Sequence, residues 1–367
     1  MTGPRLTPLV EALSPTVPFV GPETIERRLG QVLDPRLGAN ESLFGMSPHV
    51  LAAIGQAAMT SGLYADPEGW ELRQALARRH GVGLDHIVLG GGIDELLGLF
   101  VRAYGAPGAP VVMSTGGYPT FTYHVHGYGC RLVTAPYRDF ANDLAALAEA
   151  ARREDAAIVY LSNPDNPTGS WVSTEAQMAL LAALPPQTLL LLDEAYADFA
   201  PAGSIPQEGI ADPRLVRLRT FSKAQGLAGL RVGYAYGDPA TIRPLDRLRN
   251  HFGMSRVSLA AALASIEDQA HVDAIVAEVA RGRREYEALA AEFGLKALPS
   301  ATNFVAIDMG DAERARRILT KLIEQEAVFI RMPGTPPLDR CIRVTIGRPV
   351  DRQAFAAAFT RVMKANS

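Results

Sequence analysis

The chain has 367 residues, too many for one ordinary hydrophobic core, so two domains are expected. Its net charge of −3 gives no basis for binding nucleic acid or an anionic membrane, and no apolar run approaches the roughly 18 residues of a membrane span. The N-terminal segment lacks the layout of a signal peptide, and two cysteines, Cys130 and Cys341, are too few for a disulfide framework. These features favour a cytoplasmic protein in which both cysteines are small buried residues.

From about residue 70 to residue 240, short apolar runs alternate with amphipathic stretches. This alternation is typical of an α/β fold, with a mostly parallel sheet between helices. Strands are predicted at residues 86–89, 110–114, 131–135, 157–161, 188–192, 215–219 and 231–236. Helices are predicted between most of them, for example at residues 71–79 and 93–103.

The rhythm changes near Pro239, where a second group of elements begins. A long helical region is predicted at 258–293, and residues 333–337 are interpreted as a loop because of their prolines. The remaining elements form a βαβ-like group, with predicted strands or helices at residues 303–308, 312–326, 328–331, 341–346 and 353–364. Neither the cysteines nor the histidines show a metal-ligand spacing, so no metal site is predicted.

Three glycines, residues 90–92, join the first predicted strand to the helix at 93–103. Their spacing differs from that of a dinucleotide-binding loop. The better interpretation is that the backbone N–H groups of Gly92, Ile93 and Asp94 bind a phosphate at the helix N-terminus.

Two later strands also end in polar residues. Asn166 lies in a turn that two Asn-Pro steps and a glycine make rigid, and turn formation alone would explain it as well as function does. Asp193 follows a run of four leucines typical of a strand that is buried on both faces, with Tyr196 three residues later. Open α/β sheets bind ligands at this carboxyl edge, although Asp193 could instead cap the next helix.

Lys223 is the most informative residue of the chain. It lies between hydroxyl-bearing residues and an arginine, since Thr220 and Ser222 precede it and Arg231 follows. A lysine in such a setting can form a Schiff base with an aldehyde cofactor, while the hydroxyls and the guanidinium hold the phosphate of that cofactor. Asp193 could then hold a pyridine nitrogen in its protonated form, and Asn166 and Tyr196 could donate to the oxygen on the same ring.

Together these segments resemble the fold-type I pyridoxal-phosphate aminotransferases, and more narrowly the histidinol-phosphate aminotransferase branch with its aromatic-amino-acid relatives. Further likeness extends over nearly the whole chain, at residues 37–41 (LGANE), 64–69 (YADPEG), 300–304 (SATNF) and 341–347 (CIRVTIG). The resemblance implies a large domain that binds pyridoxal 5'-phosphate, residues 41–244. It also implies a smaller α/β domain with an N-terminal arm, formed by residues 1–40 and 245–367, and a homodimer with shared active sites.

The resemblance assigns further site residues. Phe121 occupies the place where the family stacks a ring on the pyridine face, and Tyr64 matches a tyrosine that reaches the cofactor phosphate of the neighbouring subunit. Arg343 matches the arginine that binds the substrate α-carboxylate, Arg331 one that is associated with a distal substrate phosphate, and Asn40 the N-terminal asparagine expected near the substrate. From the residues alone, a structural salt bridge is the alternative for Arg343, which lies between apolar neighbours on a predicted strand.

The implied function is that of a transaminase in amino-acid biosynthesis. We expect a ping-pong mechanism in which Lys223, Asp193 and Tyr196 act on the cofactor and 2-oxoglutarate is the acceptor. The donor is histidinol phosphate, which would place the enzyme in histidine biosynthesis, or an aromatic amino acid. A pyridoxal-phosphate-dependent phospho-amino-acid decarboxylase of the same fold is the alternative, and a non-catalytic cofactor-sensing regulator is a further one. The segment 249–256, which includes Arg256, has no assigned role.

Overall fold

The computed structural model describes residues 3–14, 19–206 and 212–366. Its strands are β1 (Ile87–Gly90), β2 (Pro110–Ser114), β3 (Arg131–Ala135), β4 (Tyr137–Arg138), β5 (Ala141–Asn142), β6 (Ile158–Ser162), β7 (Leu189–Asp193), β8 (Leu215–Thr220), β9 (Gly233–Gly237), β10 (Lys296–Ala297), β11 (Phe304–Asp308) and β12 (Cys341–Thr345). Its α-helices are α1 (Pro8–Glu11), α2 (Pro22–Leu29), α3 (Pro48–Ala58), α4 (Trp70–His80), α5 (Ile93–Tyr104), α6 (Pro119–Gly127), α7 (Leu144–Glu154), α8 (Thr174–Ala183), α9 (Pro239–Ile242), α10 (Arg256–Glu267), α11 (Gln269–Glu292), α12 (Ala312–Glu324) and α13 (Pro349–Lys364).

A seven-stranded sheet forms the centre of the molecule, with the strand order β1-β9-β8-β7-β6-β2-β3. Strand β9 is antiparallel to both of its neighbours, whereas the pairs from β8 to β3 are parallel. Strands β6 and β7 are buried along their whole length, as expected where helices cover both faces of a parallel sheet. The observed sheet is therefore the mostly parallel one that the alternation of apolar runs predicts.

A smaller antiparallel sheet, with the order β10-β11-β12, packs against helices α11, α12 and α13. The predicted strand at 328–331 is wrong, because this segment forms only isolated bridges, from Phe329 to Arg36 and from Arg331 to Arg343. The long helical region predicted at 258–293 consists of two helices, α10 and α11. They meet at Asp268, whose backbone leaves the helical conformation and whose side chain accepts a hydrogen bond from the N–H of His271.

The N-terminal segment packs with the small sheet. Leu37 lies in the same hydrophobic cluster as helices α11 and α13, and Leu33 packs against Phe329. Helix α10 behaves differently, because its buried alanines share a cluster with α3, α4, β1 and β9. The domain limits at residues 41 and 244 stay predictions, and the packing of α10 favours a boundary nearer to the start of α11.

Both cysteines, Cys130 and Cys341, are buried and free, as predicted. Among the described residues, no group of histidine, cysteine, aspartate and glutamate side chains is arranged to hold a metal ion. None of the helices in the described ranges combines the length and the apolar character that a bilayer crossing requires.

Candidate active site

A cleft of about 910 Å³ lies between the carboxyl ends of the large-sheet strands and the edge of the small sheet. The ends of β2, β6, β7 and β8 meet there because these strands are parallel neighbours. Most of the predicted site residues line this cleft: Asn40, Ile93, Asp94, Asn166, Asp193, Tyr196, Thr220, Ser222, Lys223, Arg231, Arg331 and Arg343.

Lys223 lies in the loop that follows β8. Its Nζ donates a hydrogen bond of 3.0 Å to the backbone oxygen of Asn40 and lies 5.6 Å from the ring centre of Tyr196. Burial, and then the positive charge of Arg343, lower the pKa of the Lys223 amine to about 8. A substantial fraction of the amine is therefore neutral near physiological pH, which is the form that attacks a carbonyl carbon.

Asp193 ends β7 as a buried carboxylate. It accepts hydrogen bonds from the hydroxyl of Tyr160 at 2.7 Å and from the N–H of Ala195 at 3.0 Å. Burial raises the pKa of Asp193 to about 6, against the opposing effect of the Tyr160 hydrogen bond. The bond to Ala195 shows that Asp193 also stabilises the turn after its strand. The two functions are compatible, because an ionised carboxylate can accept several hydrogen bonds.

Several donors converge at the N-terminus of α5. Gly92, the residue before this helix, has a φ of 92°, and the guanidinium of Arg231 packs where a Cβ of residue 92 would lie. Arg231 is itself held by the backbone oxygens of Gly91 at 3.1 Å and Ala228 at 3.0 Å. The hydroxyl of Thr220, which accepts a hydrogen bond from the N–H of Ser222 at 3.1 Å, completes this set of polar groups. N–H groups, hydroxyls and one guanidinium are the donor set that a phosphate requires.

Arg343 crosses from the small sheet to the loop after β6. Its Nη1 donates to Oδ1 of Asn166 at 2.6 Å, and its Nη2 donates to the backbone oxygen of Gly38 at 3.2 Å. Within the described ranges Arg343 forms no ion pair with a carboxylate, so the alternative of a structural salt bridge finds no support. Burial lowers the pKa of its guanidinium, and this buried positive charge lacks an anionic partner.

Arg331 lies beside the same cleft between two aromatic rings. Its guanidinium carbon is 5.0 Å from the ring centre of Phe19 and 5.3 Å from that of Phe329. Its Nη2 donates to the backbone oxygen of Val20 at 2.8 Å. Like Arg343, it pairs with no carboxylate in the part of the chain that the structure describes. Two arginines of the described chain therefore face the cleft without an ion pair, although the charge of Glu41, which also lines the cleft, raises the pKa of Arg331 against the effect of burial.

Asn40 connects the two sides of the cleft. It has a φ of 55° and is almost fully buried. Its side-chain amide donates to the hydroxyl of Tyr196 at 3.0 Å, its backbone N–H donates to Thr345 Oγ1 at 3.0 Å, and its backbone oxygen accepts from Lys223. Burial raises the pKa of Tyr196 to about 12, so its hydroxyl stays protonated. Asn40 thus orients Tyr196 and Lys223 in addition to lining the cleft.

The predicted place of Phe121 is wrong. This ring is fully buried in the core and stacks on Tyr160, with 4.4 Å between the ring centres, so it does not line the cleft. Phe121 lies on the same face of α6 as Val125, four residues later, and that face packs inward. Tyr118 lines the cleft instead, and its hydroxyl donates to Oδ1 of Asp94 at 2.8 Å. The following Pro119 is the signal for this, because a residue before proline is held outside the helix.

Tyr64 lies outside the cleft of its own chain. Its side chain is 79% exposed, its ring centre is 4.8 Å from that of Phe252, and its backbone oxygen accepts a hydrogen bond from Arg256. The role predicted for it in the neighbouring subunit therefore stays a prediction. Tyr160 and Phe19 also line the cleft, and neither lies in a recognisable motif that would identify it from the sequence.

Comparison with known sequences identifies similar aminotransferases. A family model for aminotransferase class I and II matches residues 35–359. The chain is 35% identical over 368 residues to histidinol-phosphate aminotransferase 2 of Pseudomonas fluorescens, with 97% of this chain and 96% of the relative covered. It is 37% identical over 360 residues to histidinol-phosphate aminotransferase of Roseiflexus castenholzii, with 95% of this chain and 96% of the relative covered.

A solved structure resembles the whole chain. The crystal structure of histidinol-phosphate aminotransferase from Sinorhizobium meliloti, in complex with pyridoxal-5'-phosphate, matches with a TM-score of 0.96 and 49% identity. The match covers 100% of this chain and 99% of that one. It confirms the predicted fold class, and the family match confirms the predicted enzyme class. The chain belongs to the family of class I and II aminotransferases.

Proposed function

We propose that this aminotransferase depends on pyridoxal 5'-phosphate and transfers the amino group of histidinol phosphate to 2-oxoglutarate. The observation that carries the proposal is the placement of the Lys223 amine, whose pKa is lowered to about 8, between a phosphate-type donor set and two arginines that form no ion pair within the described ranges. The names of the relatives from P. fluorescens and R. castenholzii support the substrate, and the complex from S. meliloti supports the cofactor.

The residues that line the cleft fit this cofactor. The N–H groups at the start of α5, together with Thr220, Ser222 and Arg231, would hold its phosphate, and Asp193 would hold its pyridine nitrogen. Tyr118, which lines the cleft where Phe121 does not, would be the aromatic residue that faces the ring. When bound, the protonated pyridine ring accepts the electron pair that is left when the Cα–H bond of the substrate breaks.

The chain's own groups would handle the proton and the orientation. Lys223 Nζ would hold the cofactor through its aldehyde carbon, and the freed amine would take the proton from the substrate Cα. The hydroxyl of Tyr196, which accepts a 3.0 Å hydrogen bond from the side-chain amide of Asn40, would donate a hydrogen bond to the oxygen on the cofactor ring. Asp193 would supply the negative charge that keeps the ring nitrogen protonated. Asn166, which already orients Arg343 through a 2.6 Å bond, would couple ring binding to substrate binding.

Arg343 and Arg331 favour an anionic donor. A guanidinium binds a carboxylate or a phosphate with two parallel hydrogen bonds, and neither group has to break an ion pair first. Histidinol phosphate would present its phosphate to both arginines, whereas an aromatic amino acid would present its α-carboxylate to Arg343. The aromatic side chains of Tyr118 and Phe19 keep the aromatic donor as the second candidate.

A panel of amino donors against 2-oxoglutarate tests the proposal. The values of kcat/KM for histidinol phosphate, phenylalanine and tyrosine should favour histidinol phosphate. A preference for phenylalanine of more than about tenfold, roughly 1.4 kcal/mol, would overturn the choice of donor but leave the aminotransferase class intact. Release of carbon dioxide without a requirement for a keto acid would instead favour the decarboxylase alternative.

Assembly and location are part of the same proposal. A homodimer with two-fold symmetry would bring Tyr64 of one chain to the cofactor phosphate of the other, which its high exposure in the single chain permits. A monomer that is fully active at nanomolar concentration would contradict the shared site. A cytoplasmic location stays a prediction from the composition.

A further inference from the structure

The segment 249–256, to which the sequence assigns no role, contacts the loop that contains Tyr64. Arg256 Nη2 donates a 2.7 Å hydrogen bond to the backbone oxygen of Tyr64, and Arg249 Nη1 donates a 2.9 Å bond to that of Pro67. Between the two arginines, the ring of Phe252 packs on the ring of Tyr64. Three side chains of one segment therefore contact one short loop, at both of its ends and at its aromatic ring.

The loop has few other attachments. Leu63 is 69% exposed and Tyr64 is 79% exposed, and in the described part of the chain residues 61–68 contribute to no hydrophobic core cluster. Among the described residues, the side chain of Asp66 accepts hydrogen bonds within the loop region, from the N–H groups of Glu68 and Trp70. A loop without a core of its own opens at low free-energy cost, so its position depends on such attachments.

The arginines themselves are anchored. Arg256 is the first residue of α10, whose buried alanines pack against α3 and the large sheet. Arg249 Nε is held by Asp246 Oδ1 at 2.6 Å. In the same first turn of α10, Ser258 Oγ donates a 2.6 Å bond to the backbone oxygen of Leu230, the residue before Arg231. One helix start therefore fixes both the Tyr64 loop and the segment that carries the predicted phosphate arginine.

We propose that Arg256 is a positioning residue, which holds Tyr64 in the place where it binds the cofactor phosphate of the partner subunit. The inference rests on the proposed function, because it requires a dimer with a shared site. Arg256 acts through the backbone of Tyr64 and contacts neither the cofactor nor the substrate. The Tyr64 hydroxyl can bind a phosphate only when the loop presents it at hydrogen-bond distance.

A double-mutant cycle on the holoenzyme tests this coupling. The dissociation constant for pyridoxal 5'-phosphate is measured by fluorescence for the wild type, Arg256→Ala, Tyr64→Phe and the double variant. We expect each single change to weaken binding by about 10- to 150-fold, the range for loss of one hydrogen bond to a charged group. The double variant should be no weaker than the weaker single variant, because both changes remove the same contact.

Two further variants separate positioning from general damage. Arg247 is exposed and, in the described ranges, makes no ion pair or side-chain hydrogen bond, so Arg247→Ala removes one charge close to the segment without touching the loop. It should retain the cofactor like the wild type. Phe252→Ala removes only the ring contact and should weaken retention in the same direction as Arg256→Ala, which keeps the test valid if that variant folds poorly.

The outcomes distinguish the inference from the function on which it rests. Independent, multiplicative effects of Arg256→Ala and Tyr64→Phe would overturn the positioning role, as would normal retention in both Arg256→Ala and Phe252→Ala. Failure of the wild-type protein to bind pyridoxal 5'-phosphate, seen as absence of the yellow absorbance, would instead overturn the proposed function. Size-exclusion chromatography of every variant should show the same assembly as the wild type, and a variant that dissociates would count against a purely local role for Arg256.

Discussion

The two ends of the cleft are built in different ways. The end assigned to the cofactor consists of short segments that follow β1, β6, β7 and β8. Hydrogen bonds join some of these segments to their neighbours, such as the one from Asn163 N–H to the backbone oxygen of Asp193. The end assigned to the substrate combines residues from distant parts of the chain, namely Phe19, Gly38, Arg331 and Arg343. Its two arginines are held by backbone oxygens, an amide and aromatic rings rather than by carboxylates.

This difference has a physical consequence. Carboxylate partners would already neutralise the arginines, and an incoming anion would have to displace them at a cost in free energy. Carbonyl oxygens and ring faces orient a guanidinium but leave its positive charge available. Under the proposed function, this arrangement would let the two arginines bind and release an anion at each turnover.

Replacement of Lys223 by alanine should have the largest effect, since this residue belongs to the chemistry of both ends. We expect turnover to fall by more than about 10⁴-fold, because covalent capture and proton transfer are lost together. Lys364→Ala, a change at an exposed lysine at the end of α13, is the matched control and should keep wild-type activity. Full activity of Lys223→Ala with histidinol phosphate would contradict the assignment of Lys223 as the nucleophile.

Replacement of Arg343 by glutamine should separate the two ends. We expect kcat/KM for an anionic donor to fall by about 10²–10³-fold, roughly 3–4 kcal/mol, because a bidentate pair of charge-assisted hydrogen bonds is lost. Retention of pyridoxal 5'-phosphate should change far less, since the phosphate donors lie at the start of α5. Arg340→Gln, which removes an arginine that pairs with Asp308 away from the cleft, is the control. A larger loss of cofactor binding than of kcat/KM would contradict the assignment of Arg343 to substrate binding.

The pH dependence of cofactor capture should show that the ends still interact electrostatically. The rate at which cofactor-free protein combines with pyridoxal 5'-phosphate should rise with pH through about 8, because the neutral Lys223 amine is the nucleophile. Arg343 lowers this pKa, so Arg343→Gln should raise the pKa and move the midpoint to higher pH. Stopped-flow absorbance at several pH values measures both midpoints. An unchanged or lower midpoint in the variant would show that the arginine charge does not act on the amine.

The same contrast explains what the sequence could predict. Lys223, Asp193 and Asn166 line one cleft because each follows an apolar strand, and parallel strands bring their carboxyl ends to one edge. Local pattern and sheet geometry are sufficient for such residues. The predicted limits of the large-sheet strands also lie within one residue of the observed ones, apart from β9, which begins at Gly233 because Arg231 adopts a φ of 51°.

Residues whose positions depend on tertiary packing were harder to predict. Phe121 and Tyr118 are separated by only three positions, and the direction in which α6 packs decides which ring reaches the cleft. Asn40 was predicted to lie near the substrate, but its contacts with Tyr196 and Thr345 join segments more than 150 residues apart. The sequence carries no local signal for such pairs, because they form only when the N-terminal segment packs against the small sheet.

Replacement of Phe19 by alanine should give the smallest of these effects on activity. It tests how the substrate end of the cleft orients Arg331. Phe19 supplies one of two ring faces on Arg331, so its loss should raise KM for a donor with a distal anion by about 2- to 5-fold, roughly 0.5–1 kcal/mol. Phe19→Leu keeps an apolar side chain without a ring quadrupole, and it should resemble alanine if the cation–π contact matters, or the wild type if only packing does. Donors without a distal anion should be unaffected, because they do not engage Arg331. An equal rise in KM for both kinds of donor would mean that Phe19 shapes the cleft in general and does not orient the arginine.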